Sequence, residues 1–341
     1  MSCCDHWRPI VSLIFIIAWP AAARSSTLGM IIQEQLDQAA KRITVVSNAR
    51  LRTSPQTTAD EVTRLPLGTV ALALDQSAEK EKIGGIEDFW YRVRTEDGKS
   101  GWLFGGLTAP FFPAGREEIY LRIAVERLKT AHQDFFEQVD LYKFLTRAIA
   151  EIKAPTIAAE LELSQLLALS NSLRAIPRPR ELQQSYASWL QIHEAGVVYS
   201  EPAAMWLVKL ERFWGLEKKY HALPIGERIA WTASQYELPG ECEGDIPCLF
   251  AVMRMRQGKY LELYPNGAHA GEIISQINEL LRFINHDAQF LQNQMHSELS
   301  SEDRSKLKNA IAEFREVIMK VTNPKKNALL KQIDQLSQAI P

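Results

Sequence analysis

From Ile43 onward, the spacing of apolar residues changes once, near Pro113, and this change separates two parts of the chain with different predicted folds. From Ile43 to Phe112, apolar and polar residues alternate, as in half-buried β-strands whose side chains point to opposite faces in turn. Beyond Pro113, apolar residues recur at steps of three and four, the spacing of one face of an α-helix. The sequence therefore predicts a multi-domain β + α protein, in which a small β-barrel is followed by an all-α helical array.

Turn signals separate the short apolar runs of the β segment. Pro66–Gly68 and Gly84-Gly85 interrupt alternating stretches, and Asp97-Gly98 stands between two strand-like runs. Because glycine readily adopts the positive φ of a tight hairpin turn, Asp97-Gly98 predicts a hairpin. We expect about five short strands, which a closed barrel protects from exposed edges better than an open sheet does.

Three motifs of this segment, in the same order, resemble those of bacterial SH3 domains. Ala49–Pro55 (ARLRTSP) resembles the opening motif, and Leu67–Val70 (LGTV) resembles the central strand. Phe89–Arg94 (FWYRVR) followed by Asp97–Leu103 (DGKSGWL) closely resembles the ending. The resemblance implies an SH3-like barrel over residues 43–112 that binds cell-wall peptidoglycan or a peptide.

The aromatic residues of the last motif are the candidate ligand contacts. Aromatic side chains offer a large contact area and a polar handle at low entropic cost. Trp90, Tyr91, Arg92 and Trp102 are the candidate binding residues, because strand alternation turns either Trp90 or Tyr91 outward. In the alternative interpretation, these aromatic residues fill the core of a small barrel.

The N-terminus has the three parts of a secretory signal peptide. Arg8 carries positive charge, residues 10–19 are mostly apolar, and Ala21–Ala23 supplies small residues for cleavage. The apolar run spans roughly 15 Å as a helix, about half of a bilayer's hydrocarbon core, so it is too short for a stable anchor. We expect a signal peptide over residues 1–23, cleavage after Ala23, and a location in the periplasm or outside the cell. An uncleaved anchor and a buried N-terminal helix are the alternatives.

A leading helix is expected over residues 24–42, and an all-helical domain over residues 113–341. Pro155 breaks the first long helical pattern, and Ile176–Pro179 forms a rigid connector, so a division near residues 177–180 stays open. Three further amphipathic helical segments are expected to carry a set of aromatic residues. These are Trp189, Trp206, Phe213, Trp214 and Trp231.

One helical stretch, Tyr260–Ala270, resembles the helix-turn-helix joint of tetratricopeptide-like repeats in envelope proteins. Pro265 stops the first helix, Asn266-Gly267 turns the chain, and Ala270 lets the second helix approach closely. A regular second copy is not visible in the sequence, so the pattern predicts a joint between two helices and leaves a repeat array undecided.

Two cysteines, Cys242 and Cys248, remain after removal of the signal peptide. An even number in an oxidising compartment predicts a disulfide bridge between them. Metal binding and a redox-active pair are the alternatives, although the spacing is not C-x-x-C and partner ligands are lacking. Between the cysteines, Asp245 is expected to cap a helix that starts near Ile246, with Pro247 in its first turn.

Charge and motifs exclude several classes of function. The 39 Lys and Arg nearly balance the 41 Asp and Glu, which argues against nucleic acid as a partner. Recognisable catalytic and metal-binding motifs are absent, so we expect neither an enzyme nor a cofactor. After the N-terminus, apolar runs are too short for a stable membrane span.

The expected function is that of a non-catalytic exported envelope protein. Its barrel would bind peptidoglycan or a peptide, and its helical domain would contact an envelope protein. One alternative is a helical scaffold whose barrel is only structural, with an interface in the tryptophan-rich stretch from Trp189 to Trp231. The other alternative is a wall hydrolase with an unrecognised site.

Overall fold

The structure is a computed structural model that describes residues 41–130, 134–286 and 299–340. The signal peptide expected over residues 1–23 lies outside these residues, as does the leading helix expected over 24–42, except for its last two positions. Those two, Lys41 and Arg42, belong to a strand. The described residues form two compact units, 41–65 with 69–116 and 66–68 with 117–340.

The first unit is an antiparallel β structure, as the alternation of apolar residues predicts. Its strands are β1 (Lys41–Thr44), β2 (Ala49–Arg52), β3 (Glu61–Leu65), β4 (Val70–Gln76), β5 (Glu81–Ile83), β6 (Ile86–Asp88), β7 (Trp90–Thr95), β8 (Ser100–Phe104) and β9 (Thr108–Pro110). Seven of them form one sheet in the order β3-β2-β8-β7-β4-β1-β9, and β5 pairs with β6 in a separate hairpin. The described part of this unit thus has more strands than the five expected, and β3 and β9 stand at the two ends of the hydrogen-bonded order.

Alternate residues of the central strands build the core of this unit. Leu51, Val93 and Leu103 are fully buried in one apolar cluster. Gly98 turns the chain between β7 and β8 with φ of +82°, which confirms the hairpin that Asp97-Gly98 predicts.

The second unit is mainly helical, as predicted. Its helices are α1 (Arg116–Thr130), α2 (Phe135–Glu151), α3 (Pro155–Arg174), α4 (Ala187–His193), α5 (Leu210–Tyr220), α6 (Pro224–Gln235), α7 (Ile246–Met253), α8 (Lys259–Leu263), α9 (Ala270–Asn285), α10 (Ser301–Met319) and α11 (Lys326–Ala339). Pro155 opens α3, where its missing N–H costs no helical hydrogen bond. A π-helical turn, Arg254–Gly258, connects α7 to α8.

Two strands interrupt the helices, so the prediction of an all-helical region is wrong at this point. β10 (Val197–Ser200) and β11 (Met205–Val208) pair as an antiparallel hairpin, and Trp206 lies on β11 rather than on a helix. Both strands contain valine and an aromatic residue, and such residues favour extended backbone. Trp189 and Trp214 lie on helices as expected, and both are buried.

Side-chain caps fix the starts of several helices. The Asp245 carboxylate accepts a hydrogen bond from the backbone N–H of Cys248 at 2.6 Å, which confirms the predicted cap of α7.

Between α8 and α9, the chain turns at Gly267, where a Cβ would lie 2.5 Å from Oε1 of Glu227. The helix-turn-helix joint is therefore present, and a side chain at Gly267 would have to displace the Glu227 carboxylate or the Tyr260 hydroxyl. In the described part of the chain, no helix combines the length and the apolar character needed to cross a membrane.

Candidate functional site

The outer face of the sheet carries an arginine–tryptophan row: Arg52 on β2, Trp102 on β8 and Arg92 on β7. Trp102 is the register partner of both Arg52 and Arg92. Trp90 lies two residues before Arg92 on β7 and pairs with Phe104 on β8. Because residues two apart on a strand share a face, Trp90 and Phe104 lie on the same face as the row.

The residues of the row differ in exposure and in their contacts. Arg92 is exposed and Trp102 is half-buried. Within the described residues the guanidinium of Arg92 has no hydrogen-bond or ion-pair partner. Arg52 is half-buried, and its Nη1 donates to the carbonyl oxygen of Ala59 at 2.6 Å. Arg52 therefore has a fixed position, and Arg92 is free to pair with a ligand.

A cavity of about 220 Å³ adjoins the row. Trp90 and Phe104 form part of its wall with ring centres 5.6 Å apart, and Trp90 is only 3% exposed. The indole N–H of Trp90 donates to Oε2 of Glu81 at 2.5 Å. The complete lining is Val46, Ser47, Asn48, Ala49, Arg50, Arg52, Thr57, Ile83, Trp90, Phe104 and Leu107.

Two polar features point to what this cavity can hold. The hydroxyl of Ser47 is buried without a hydrogen-bond partner, although it lines the cavity. Arg50 is exposed at the same cavity, with its Nε 3.6 Å from Glu61, whose carboxylate also pairs with Arg64 at 2.9 Å. One carboxylate thus serves two arginines and leaves net positive charge beside the cavity. This charge favours an anionic group with hydrogen-bonding capacity.

Tyr91 lies on the opposite face of β7 from the row. It packs against the core cluster of Val93 and Leu103. The guanidinium carbon of Arg42 lies 3.8 Å from the centre of the Tyr91 ring, and Arg42 Nε donates to Oγ1 of Thr108 at 2.6 Å. Burial lowers the pKa of Arg42, while the nearby Tyr91 and Asp88 oppose this shift. The outer face therefore brings together three of the four predicted site residues, Trp90, Arg92 and Trp102.

Some lining residues lie outside the set predicted from sequence. Arg50 and Arg52 belong to the opening motif. Only the pairing of β2 with β8 brings them close to the tryptophans, and the local sequence does not show this pairing. Ser47 precedes that motif and has no distinguishing sequence signal. The cavity also needs Ile83 from the β5–β6 hairpin, which local sequence does not place against Trp90.

The two cysteines form a disulfide bridge, Cys242–Cys248, with Cα atoms 5.5 Å apart. Both sulfur atoms are thereby engaged, which leaves neither as a thiolate ligand for a metal. Among the residues that the structure describes, no group of three or more His, Cys, Asp or Glu side chains is arranged to hold a metal ion.

Comparison with known proteins identifies the first unit. Residues 47–109 match the family model described as bacterial SH3 domain, so this part of the chain is a bacterial SH3 domain. A helical region follows it in the chain. Such a domain indicates a module that binds peptidoglycan or peptides. Searches of curated proteins and of solved structures found no match.

Proposed function

We propose that this is a non-catalytic, exported envelope protein whose SH3 domain binds the peptide part of peptidoglycan. The observation that carries the proposal is the arginine–tryptophan row, in which Trp102 stands between Arg52 and Arg92 beside a cavity walled by Trp90. Wall peptides carry carboxylates and small side chains, and these are the groups that such a surface can recognise.

Each part of the surface has a separate task in this proposal. Arg92 pairs with a peptide carboxylate, because a guanidinium forms two parallel hydrogen bonds with such a group. The exposed part of the Trp102 ring packs against the peptide backbone or an adjoining sugar. The cavity is small compared with the roughly 300–1,000 Å³ of most ligand pockets, so it suits one small side chain rather than a whole ligand.

Two features support the exported location. The N-terminal sequence is expected to act as a signal peptide, and the chain contains the bridge Cys242–Cys248. Disulfides persist mainly in oxidising compartments such as the periplasm and the extracellular space. The helical unit is proposed to contact an envelope protein.

A second candidate function is that of a helical scaffold, which exposed apolar side chains favour. Phe136 is 69% exposed and Ile192 is 73% exposed, both on helices of the second unit. Trp189 and Trp214, in contrast, are buried and serve the core rather than an interface. Cross-linking in the native envelope separates the two functions. Partners attached only through residues 117–340, with no wall attachment, favour the scaffold.

Co-sedimentation of the purified protein with cell-wall sacculi tests the primary proposal. We expect the wild-type protein to sediment with sacculi and Trp102→Ala to remain largely in the supernatant. Failure of the wild-type protein to sediment contradicts wall binding. Equal sedimentation of Trp102→Ala contradicts the assignment of the site.

A further inference from the structure

A second cavity, of about 440 Å³, lies within the helical unit between α2, α3 and α5. Its volume is in the range of small-molecule sites. The lining combines apolar, neutral polar and charged side chains. It consists of Thr146, Ile149, Glu162, Gln165, Leu166, Arg212, Gly215, Leu216 and Lys219.

The charges of this cavity do not balance. Lys219 Nζ lies 2.7 and 2.8 Å from the two carboxylate oxygens of Glu162, which also accepts a hydrogen bond from the Tyr220 hydroxyl at 2.8 Å. Lys219 and Glu162 thus neutralise each other. Arg212 has neither a hydrogen-bond nor an ion-pair partner for its guanidinium among the described residues. One uncompensated positive charge therefore lines the cavity.

The chain makes room for Arg212 at a specific place. A Cβ at Gly196 would lie 2.8 Å from Cδ and 3.0 Å from Nη1 of Arg212. The arginine side chain consequently lies against the bare backbone of Gly196. Burial and, secondly, the positive charge of Arg212 lower the pKa of the adjacent His193. The unpaired charge therefore lies between the backbone of Gly196 and the cavity.

Gly215 keeps the cavity open. It lies in the middle of α5, where glycine is less favourable than alanine because it loses more backbone freedom on folding. A Cβ at this position would meet nothing within 4 Å, and the φ of Gly215 is not positive. Neither packing nor backbone geometry requires a glycine here. Its effect is to leave out a side chain at the lining of the cavity.

The other lining residues indicate the polarity and the charge of a suitable ligand. Leu166, Leu216 and Ile149 supply apolar surface, and the amide of Gln165 donates to the hydroxyl of Thr146 at 2.8 Å. A ligand with one negative charge balances Arg212, whereas a second negative charge would face the carboxylate of Glu162 without a partner.

We propose that this cavity binds a monocarboxylate with an apolar body, with its carboxylate on Arg212 and its body against Leu166 and Leu216. The same chemistry has two sources, a free aliphatic acid and the C-terminus of a peptide that ends in an apolar residue. The proposal is independent of wall binding by the SH3 domain, since every lining residue belongs to the helical unit.

Calorimetric titration of the purified full protein tests the proposal with two probes, octanoate and acetyl-Ala-Leu as the free acid. The C-terminal amide of the same dipeptide is the charge control. We expect at least one acid to bind, and the amide to bind at least tenfold more weakly than the acid if the peptide is the ligand. Binding of octanoate alone identifies a free acid as the source, and binding of the peptide acid alone identifies a chain terminus. If neither acid binds at concentrations up to about 10 mM, the proposal is overturned. Such a result corresponds to a free energy of binding weaker than about 3 kcal/mol. If the dipeptide acid and its amide both bind, equal affinities for the two overturn the proposal as well.

Variants locate the binding. Arg212→Gln is expected to lower the affinity for the acid that binds by tenfold or more. Gly215→Leu is expected to abolish binding, because its side chain fills the cavity. Lys218→Gln, at an exposed position of the same helix outside the lining, and Arg94→Gln, at an exposed position of the SH3 domain, are expected to bind the acid as the wild type does. Because Gly215→Leu places a better helix former on α5, its loss of binding with unchanged thermal unfolding cannot come from misfolding. Wild-type affinity in both Arg212→Gln and Gly215→Leu overturns the proposal.

Discussion

The indole N–H of Trp90 donates to Oε2 of Glu81 at 2.5 Å, and this hydrogen bond joins the central sheet to the β5–β6 hairpin. The hairpin covers a face of β7 that would otherwise be open to solvent. Trp90 is buried as a result, although it shares its face with the exposed Arg92. Trp90 thus contributes both to stability and to the wall of the cavity.

Substitution of Trp90 is therefore expected to affect folding before binding. We expect Trp90→Ala to lower the free energy of unfolding of the SH3 domain by about 3–5 kcal/mol, because a large buried ring is replaced by a void. Glu81→Gln keeps a hydrogen-bond acceptor for the indole and should cost about 1 kcal/mol or less. Denaturant unfolding of the full protein, followed by circular dichroism, measures both effects. Equal stability of Trp90→Ala and the wild type contradicts the structural role.

Local sequence patterns anticipate part of the SH3 site. The alternation of residues in β7 puts Trp90 and Arg92 on one face, and Asp97-Gly98 sets the hairpin that brings Trp102 beside Arg92. The same alternation leaves undecided which face is covered. Coverage depends on the β5–β6 hairpin, whose position against Trp90 is a tertiary contact that no short-range pattern encodes.

The bridge Cys242–Cys248 is expected to stabilise the helical unit. It closes a loop with a sequence separation of 6 residues, for which the chain-entropy relation gives roughly 2 kcal/mol. We expect the free energy of unfolding of the Cys242→Ser/Cys248→Ser double variant to be lower by that amount under oxidising conditions. Its midpoint should therefore lie at a lower denaturant concentration than that of the wild type. Added reductant should shift the wild type to the same midpoint and leave the double variant unchanged. A reductant effect on the double variant would contradict this origin of the stability.

Protonation of His193 is expected to destabilise the helical unit in mild acid. Burial, with the charge of Arg212 as the second cause, lowers the pKa of His193 below its usual value of 6.5. The unfolded chain then binds more protons than the folded chain as the pH falls below 6.5, so this residue's contribution to stability decreases with falling pH. The slope from one such group is at most about 1.4 kcal/mol per pH unit. We expect His193→Gln to show a smaller loss of unfolding free energy between pH 7 and pH 5 than the wild type, and parallel curves contradict the assignment.

Glycine at position 215 is expected to reduce stability in the absence of a ligand. Because a Cβ there meets nothing within 4 Å, Gly215→Ala should raise the free energy of unfolding by about 0.5–1 kcal/mol. The Gly267→Ala variant is the contrasting control, since its Cβ would lie 2.5 Å from Glu227 and should destabilise the protein. Thermal unfolding of both variants beside the wild type measures the difference. Destabilisation by Gly215→Ala contradicts the view that the fold has no need of this glycine.

In the helical unit, the sequence predicts local features such as helix ends but not the contacts between distant segments. Helix ends such as the Asp245 cap and Pro155 at the start of α3 depend on neighbouring residues and are readable from the chain. The sequence pattern does not reveal the β10–β11 hairpin, because its two strands are only four residues each and lie between helical patterns. The 440 Å³ cavity joins α2, α3 and α5, whose lining residues are far apart in sequence, so only the tertiary structure reveals it.

The affinity of paired arginine variants for cell-wall sacculi tests the central claim most directly. Arg92 and Arg94 are both exposed on β7, but only Arg92 is a register partner of Trp102, while Arg94 pairs with Ser100. The two substitutions Arg92→Gln and Arg94→Gln change the net charge equally. We predict that Arg92→Gln weakens sacculus binding about tenfold, as expected from the loss of one charge-assisted contact, and that Arg94→Gln leaves it within about twofold of the wild type. Equal affinities of the two variants would contradict recognition by the arginine–tryptophan row.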